Sequence, residues 1–133
     1  MTPADILAAV PFAAHLDIVL EEAAPERTVG TLDWSAKLCT VGDVLHGGAL
    51  MTLADTVGAV CAFLNLPPGA ATSTVESKTN FFRAVRGGTV RATARPLHIG
   101  SSFVVVQTEV HDADGRPVGQ TTQTQAVLGP RRN

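Results

Sequence analysis

Between residues 47 and about 65 the hydrophobic positions fall at helical spacing. Leu50, Leu53, Val57, Cys61 and Leu64 make one line, and Ala, Gly, Met, Thr and Val fill the other faces. The pattern predicts a helix apolar nearly all round, which must be buried all round. Pro67-Pro68-Gly69 ends it. On both sides of this stretch the period changes to two. Residues 16–23 and 28–34 are rich in β-branched side chains and are separated by Pro25-Glu26, which predicts a hairpin. Four further segments, 71–83, 89–99, 102–112 and 117–128, alternate Thr, Val, Gln and Arg, as antiparallel strands with one wet face do. Arg86-Gly87-Gly88, Gly100-Ser101 and Asp114-Gly115-Arg116 supply the turns between them. Thr2-Pro3 opens a short helix over 3–9. Residues 35–46 read as a loop, and the tail 129–133 is expected to fray.

The order of elements predicts an α+β domain: an antiparallel sheet of five or six strands wrapped around one long central helix. The 133 residues suit one domain, 1–133, with its core over about 12–128. A sheet this open leaves edges and apolar surface for a partner subunit to cover. Hydrophobic residues at 45% and charged residues at 17% fit a packed globular chain. A net charge of −2 does not suggest a nucleic-acid partner. The charge is uneven: Arg27 and Lys37 are the bases of the first 60 residues, whereas Lys78, Arg83, Arg86, Arg91 and Arg95 follow. A basic second half serves either an anionic ligand or solvated strand faces. Cys39 and Cys61 make no disulfide framework. The stretch 47–64 is apolar enough to raise a membrane span, but Asp55 near its middle and its many Gly and Ala favour a buried helix. With no basic-then-apolar leader at the start, a cytoplasmic protein is expected.

The chemistry centres on Leu45-His46-Gly47-Gly48-Ala49-Leu50-Met51-Thr52-Leu53-Ala54-Asp55. Two glycines at a helix start leave backbone N–H groups bare, with the positive end of the dipole behind them. They serve either a carbonyl oxygen gaining negative charge or close helix packing, and spacing does not separate the two. Asp55 is the only charge in the helix. A buried carboxylate is costly, so it is either paired or faces a cleft. At the helical rise Gly47 and Asp55 stand about 12 Å apart, too far to act on one carbonyl from one helix. Two antiparallel copies remove the difficulty, so a site using both residues lies between subunits. No His, Cys or carboxylate cluster has metal spacing, and no phosphate-binding fingerprint occurs.

The His-Gly-Gly followed by Leu-Ala-Asp, the segment Pro-Leu-His-Ile-Gly-Ser-Ser and the run Val-His-Asp-Ala-Asp-Gly-Arg-Pro-Val-Gly-Gln-Thr-Thr resemble the hotdog-fold thioesterases over residues 12–128. The phenylacetate-pathway (PaaI-type) and 4-hydroxybenzoyl-CoA (Arthrobacter-type) branches are the most similar. The resemblance implies hydrolysis of an acyl- or aryl-CoA thioester to free acid and CoA. It implies no resident cofactor, CoA being part of the substrate, and self-association as a homodimer or a dimer of dimers. By the same resemblance Asp55 is the nucleophile or general base, the Gly47 amide polarises the carbonyl, and His46 orients the loop. Thr74 positions water or is an ordinary strand threonine. Thr40 stands where many relatives carry Asn or Gln, and Ala59 where the Arthrobacter-type branch carries Ser or Thr. Gly48, Arg83, Arg86, His98, Gly100 and Ser101 fall where relatives hold substrate and CoA phosphates. Met51, Val60, Phe63 and Phe81 are candidates for the acyl pocket or for the core. A non-catalytic acyl-CoA-binding module on the same fold is the alternative, and Asp55 argues against it. A hotdog hydratase would need a histidine farther along the helix than His46.

Overall fold

The computed structural model describes residues 1–129; residues 130–133, and with them most of the tail expected to fray, lie outside the described residues. Six strands form one antiparallel sheet: β1 (Val19–Ala24), β2 (Arg27–Asp33), β3 (Ala71–Phe81), β4 (Thr89–Ile99), β5 (Phe103–His111) and β6 (Pro117–Leu128). Their spatial order is β1-β2-β4-β5-β6-β3. Among the described residues three α-helices accompany them, α1 (Pro3–Ala8), α2 (Pro11–His15) and α3 (Gly47–Phe63), with a single 3-10 turn at Ala36–Leu38. α3 lies across the sheet and touches every strand. This is the hotdog architecture expected from the sequence.

Alternation dictates which face each strand presents to α3. Val90, Ala92 and Ala94 of β4 and Val104, Val106 and Val110 of β5 point inward and are buried. They meet Leu53, Val57 and Cys61, which have no exposed surface. Each such Leu or Val contributes about 1.5–3 kcal/mol by leaving water. On β6 the inward face changes character. After Val118 come Thr121, Gln123 and Gln125, all buried. The register slips between Val110 and His111 of β5, and the phase of β6 changes with it.

Three local expectations are corrected. The Arg86-Gly87-Gly88 turn is not a hairpin, because β3 pairs with β6 and β4 with β2. α3 carries the chain over the sheet to the far edge, and residues 82–88 bring it back. Phe82 N donates to Val118 O at 2.7 Å, Val85 O accepts from Leu45 N at 2.8 Å, and Gly88 O accepts from Trp34 N at 2.8 Å. The first strand starts later than the expected residue 16, after a short helix, α2, that the pattern did not predict. Asp17 then takes φ 59°, and β1 begins only at Val19. Finally, α3 is not buried all round in the single chain. The sheet covers one side, and a stripe through Gly48, Met51, Asp55 and Phe63 stays open.

Candidate active site

His46 is the N-cap of α3, with φ −60° and ψ 135°, and its Nδ1 accepts from Gly48 N at 2.7 Å. An accepting Nδ1 places the ring proton on Nε2. The glycine at 48 is required by this cap, since a Cβ there would lie 2.8 Å from Nδ1. Gly47 N, one residue earlier, has no hydrogen-bond partner among the described residues. It opens onto a groove of about 360 Å³ that also contains Thr40, Phe81 and Arg83. His46 and Gly48 line a different groove, with Phe12 and Lys37.

Asp55 sits two turns farther along, on the open stripe. Its Oδ1 accepts from Gln123 Nε2 at 3.3 Å. Desolvation pushes its carboxyl above the ordinary carboxylate range, and the Gln123 hydrogen bond opposes this in part. Asp55 forms part of the wall of two grooves. One, of about 450 Å³, runs between α1 and α3 and is lined by Ile6, Ala9, Val10, Ala59, Val60 and Phe63, with Thr72 and Asp5 among its polar groups. The other brings Asp55 near Phe12, Met51 and Ser77.

The remaining expected residues divide by location. Thr74 lies on β3, and its hydroxyl donates to Gln125 Oε1; it lines neither Asp55 groove. Arg83 belongs both to the Gly47 groove and to a neighbouring one shared with Arg86, Asp112 and Arg116. Arg91 and Arg116 are neutralised by Glu21 and by Asp112 and Asp114, whereas Arg83 and Arg86 form no ion pair among the described residues. His98, Gly100 and Ser101 lie at the other end of β4, where Gly100 N donates to Phe103 O at 2.8 Å. One chain therefore groups Thr40, Gly47, Phe81 and Arg83, and separates them from Asp55 and from the β4–β5 turn.

Sequence reasoning missed the α1 wall of the Asp55 groove and the buried glutamines of β6. The alternation Thr121, Gln123, Gln125 is visible in the sequence, but it reads equally as the wet face of a strand.

The sequence profile of the thioesterase superfamily matches residues 42–118, from just before the α3 cap to the start of β6. The chain belongs to this superfamily. It is 32% identical to the 1,4-dihydroxy-2-naphthoyl-CoA hydrolase of Escherichia coli over 85% of its own length and 83% of that protein. It is 33% identical to a proofreading thioesterase of Cronobacter turicensis, over 86% of this chain and 84% of the other. A thioesterase structure from Haemophilus influenzae superposes with a TM-score of 0.93, covering 100% of this chain and 94% of that one; at 24% identity the likeness speaks for the fold. The acyl-CoA thioesterase expected from the sequence is the activity this membership supports, and thioester hydrolysis is its reaction.

Proposed function

We propose that this thioesterase acts on CoA thioesters of apolar acyl or aryl groups, at a site shared by two copies of the chain, without a resident metal or cofactor. The observation that carries the reading is Asp55: a carboxylate on the open stripe of an apolar helix, in the wall of an apolar groove, desolvated and met by a buried amide donor. The acyl group occupies the groove between α1 and α3, whose volume suits a small-molecule pocket. The thioester carbonyl then lies beside Asp55, with its oxygen toward the Gly47 amide of the second copy. Hydrogen bonding to that oxygen favours the charge it gains as the carbonyl carbon becomes tetrahedral. Asp55 either takes a proton from the attacking water or attacks the carbon itself. In the first route the C–S bond breaks and the proton taken by Asp55 passes to the CoA sulfur, giving acid and thiol. In the second CoA leaves as a thiolate that takes a proton from water, and a water then hydrolyses the acyl–Asp55 anhydride to release the acid.

The distance from Gly47 to Asp55 along α3 supports a second copy, and what one chain leaves open suits one. Met51 and Phe63 are exposed on the stripe, and the outer edge of β3 pairs with no strand among the described residues. Such an edge and stripe are the surfaces a partner would cover. The free Arg83 and Arg86 serve the CoA phosphates, and a cytoplasmic location places the enzyme with that substrate. Asp55→Asn, assayed by release of free thiol from a panel of acyl- and aryl-CoAs, is expected to fold and to lose about 10²-fold or more in kcat. Near-normal turnover in that variant would remove Asp55 from the reaction.

A further inference from the structure

Under an apolar helix, the inward face of a strand is expected to be aliphatic. On β6 it holds Gln123, 0% exposed, and Gln125, 1% exposed. Burying an amide costs free energy unless its donors and acceptors are met. Those of Gln125 are met at both ends. Its Oε1 accepts from Thr74 Oγ1 and from Gln123 Nε2 at 3.2 Å, and its Nε2 donates to Thr72 Oγ1 at 3.1 Å. The Thr72 hydroxyl in turn donates to Ala126 O at 2.8 Å. Gln123 is met only on one side. Its Nε2 reaches Asp55 Oδ1 and Gln125 Oε1, while its Oε1 is buried without a partner.

Helix α3 is shaped around this amide. A Cβ at Gly58 would lie 2.0 Å from Gln123 Oε1 and 3.2 Å from Thr108 Oγ1, itself a buried hydroxyl without a partner. A glycine inside a helix costs about 1 kcal/mol relative to alanine. A leucine at 123 would leave no orphan acceptor. Two unfavourable choices therefore meet at one point, and what they preserve is an N–H aimed at Asp55. The direction is fixed by charge, because an ionised carboxylate only accepts and Gln123 must present Nε2 to it.

From this chain of bonds we infer that Gln123 and Gln125 are positioning residues of the thioesterase, holding the Asp55 carboxylate and the Thr74 hydroxyl in one fixed relation across the α3–β3 gap. Neither glutamine lines either of the Asp55 grooves, so neither is placed to touch the substrate. The inference rests on Asp55 being the catalytic carboxylate. The other residues bearing charge along those grooves are Asp5, on α1, and Met1, which precedes α1. Asp5 is held below the ordinary carboxylate range by its bonds to Thr2, and so stays ionised while Asp55 titrates.

Gln123→Met and Gln125→Met keep the volume and remove the relay. In Gln123→Met, kcat for acyl-CoA should fall about tenfold or more with KM unchanged, the mark of a lost transition-state arrangement. The acidic limb of its kcat/KM profile should move to higher pH, because a donor that favours ionised Asp55 is gone. In Gln125→Met the same kcat loss is expected with the limb in place, since Gln123 still meets Asp55. Folded variants with wild-type kcat and an unmoved limb would overturn the relay. So would a change confined to KM or to melting temperature. If Gln123→Met does not fold, the kcat and KM of Gln125→Met decide alone. Asp55→Asn run beside them keeps the failures apart. If it stays active, the assignment of Asp55 fails; if it is inactive while the glutamine variants are normal, only the relay fails.

Discussion

At neutral pH Asp55 burdens the fold that carries it. Desolvation raises its pKa above the ordinary 3.8 of an unfolded chain, against the weaker pull of Gln123. A group raised in this way contributes its full stability below the unfolded value and loses it as the pH rises through the folded one. Asp55→Asn, which keeps the shape and an acceptor for Gln123, should therefore melt at a higher temperature than wild type at pH 7. The two melting curves should converge as the pH is lowered toward 3.8, as thermal denaturation across pH would show. A variant that melts lower at pH 7 would mean that ionised Asp55 is held by more than one amide. At this scale the sequence was partly legible. A lone charge in an apolar helix and two glycines after a histidine stand out on inspection, and the structure makes His46 the cap and Gly48 the residue that admits it. The glutamines did not stand out. Polar residues two apart in a strand mark its wet face unless pairing turns them inward, and the slip of register that does so lies on β5 and β6 together.

Among the elements, α3 and the strands after it follow their hydrophobic period closely. β4 and β6 span the residues the alternation predicts, Thr89–Ile99 and Pro117–Leu128. What the period cannot express is adjacency. β3 and β4 are neighbours in sequence and strangers in the sheet, because α3 delivers the chain to the far edge before β3 begins. The brief α2 was also illegible: Pro11 opens it, but its N-cap Val10 makes no side-chain hydrogen bond. The central contact between helix and sheet is tested by Leu53→Ala. Leu53 has no exposed surface, and its truncation leaves a cavity between α3 and the sheet. A loss of about 2–5 kcal/mol in urea-induced unfolding is expected. A loss much below that range would show that the helix settles onto the sheet to fill the gap.

For the whole molecule, the CoA arm is a matter of reach. Arg83 and Arg86 precede β4, while His98, Gly100 and Ser101 end it, so the length of a strand, about 30 Å, divides the two groups within one chain. Arg83 shares the Gly47 groove and carries no ion pair among the described residues. Arg83→Ala is expected to raise KM for acyl-CoA several-fold with kcat nearly constant. The effect should shrink with added salt, since exposed charges are screened, and vanish for a short thioester without the nucleotide. Equal losses on both substrates would point to damaged folding or chemistry.

The distance from Gly47 to Asp55 along one rigid helix also has a genetic consequence. If each site takes its two ends from different chains, two broken chains can repair one another. Gly47→Pro deletes one N–H at the first helical position, where the helix backbone tolerates proline and the Phe81 ring, 3.2 Å from the new Cβ, must give way slightly; Asp55→Asn deletes the carboxylate. Each pure protein should be nearly inactive. After unfolding together in equal amounts and refolding, half the dimers pair unlike chains, and each such hybrid regains one intact site of its two. The mixture should recover about a quarter of wild-type activity by this symmetry. Recovery of nothing would mean that both residues serve within a single chain, or that they never meet at one carbonyl.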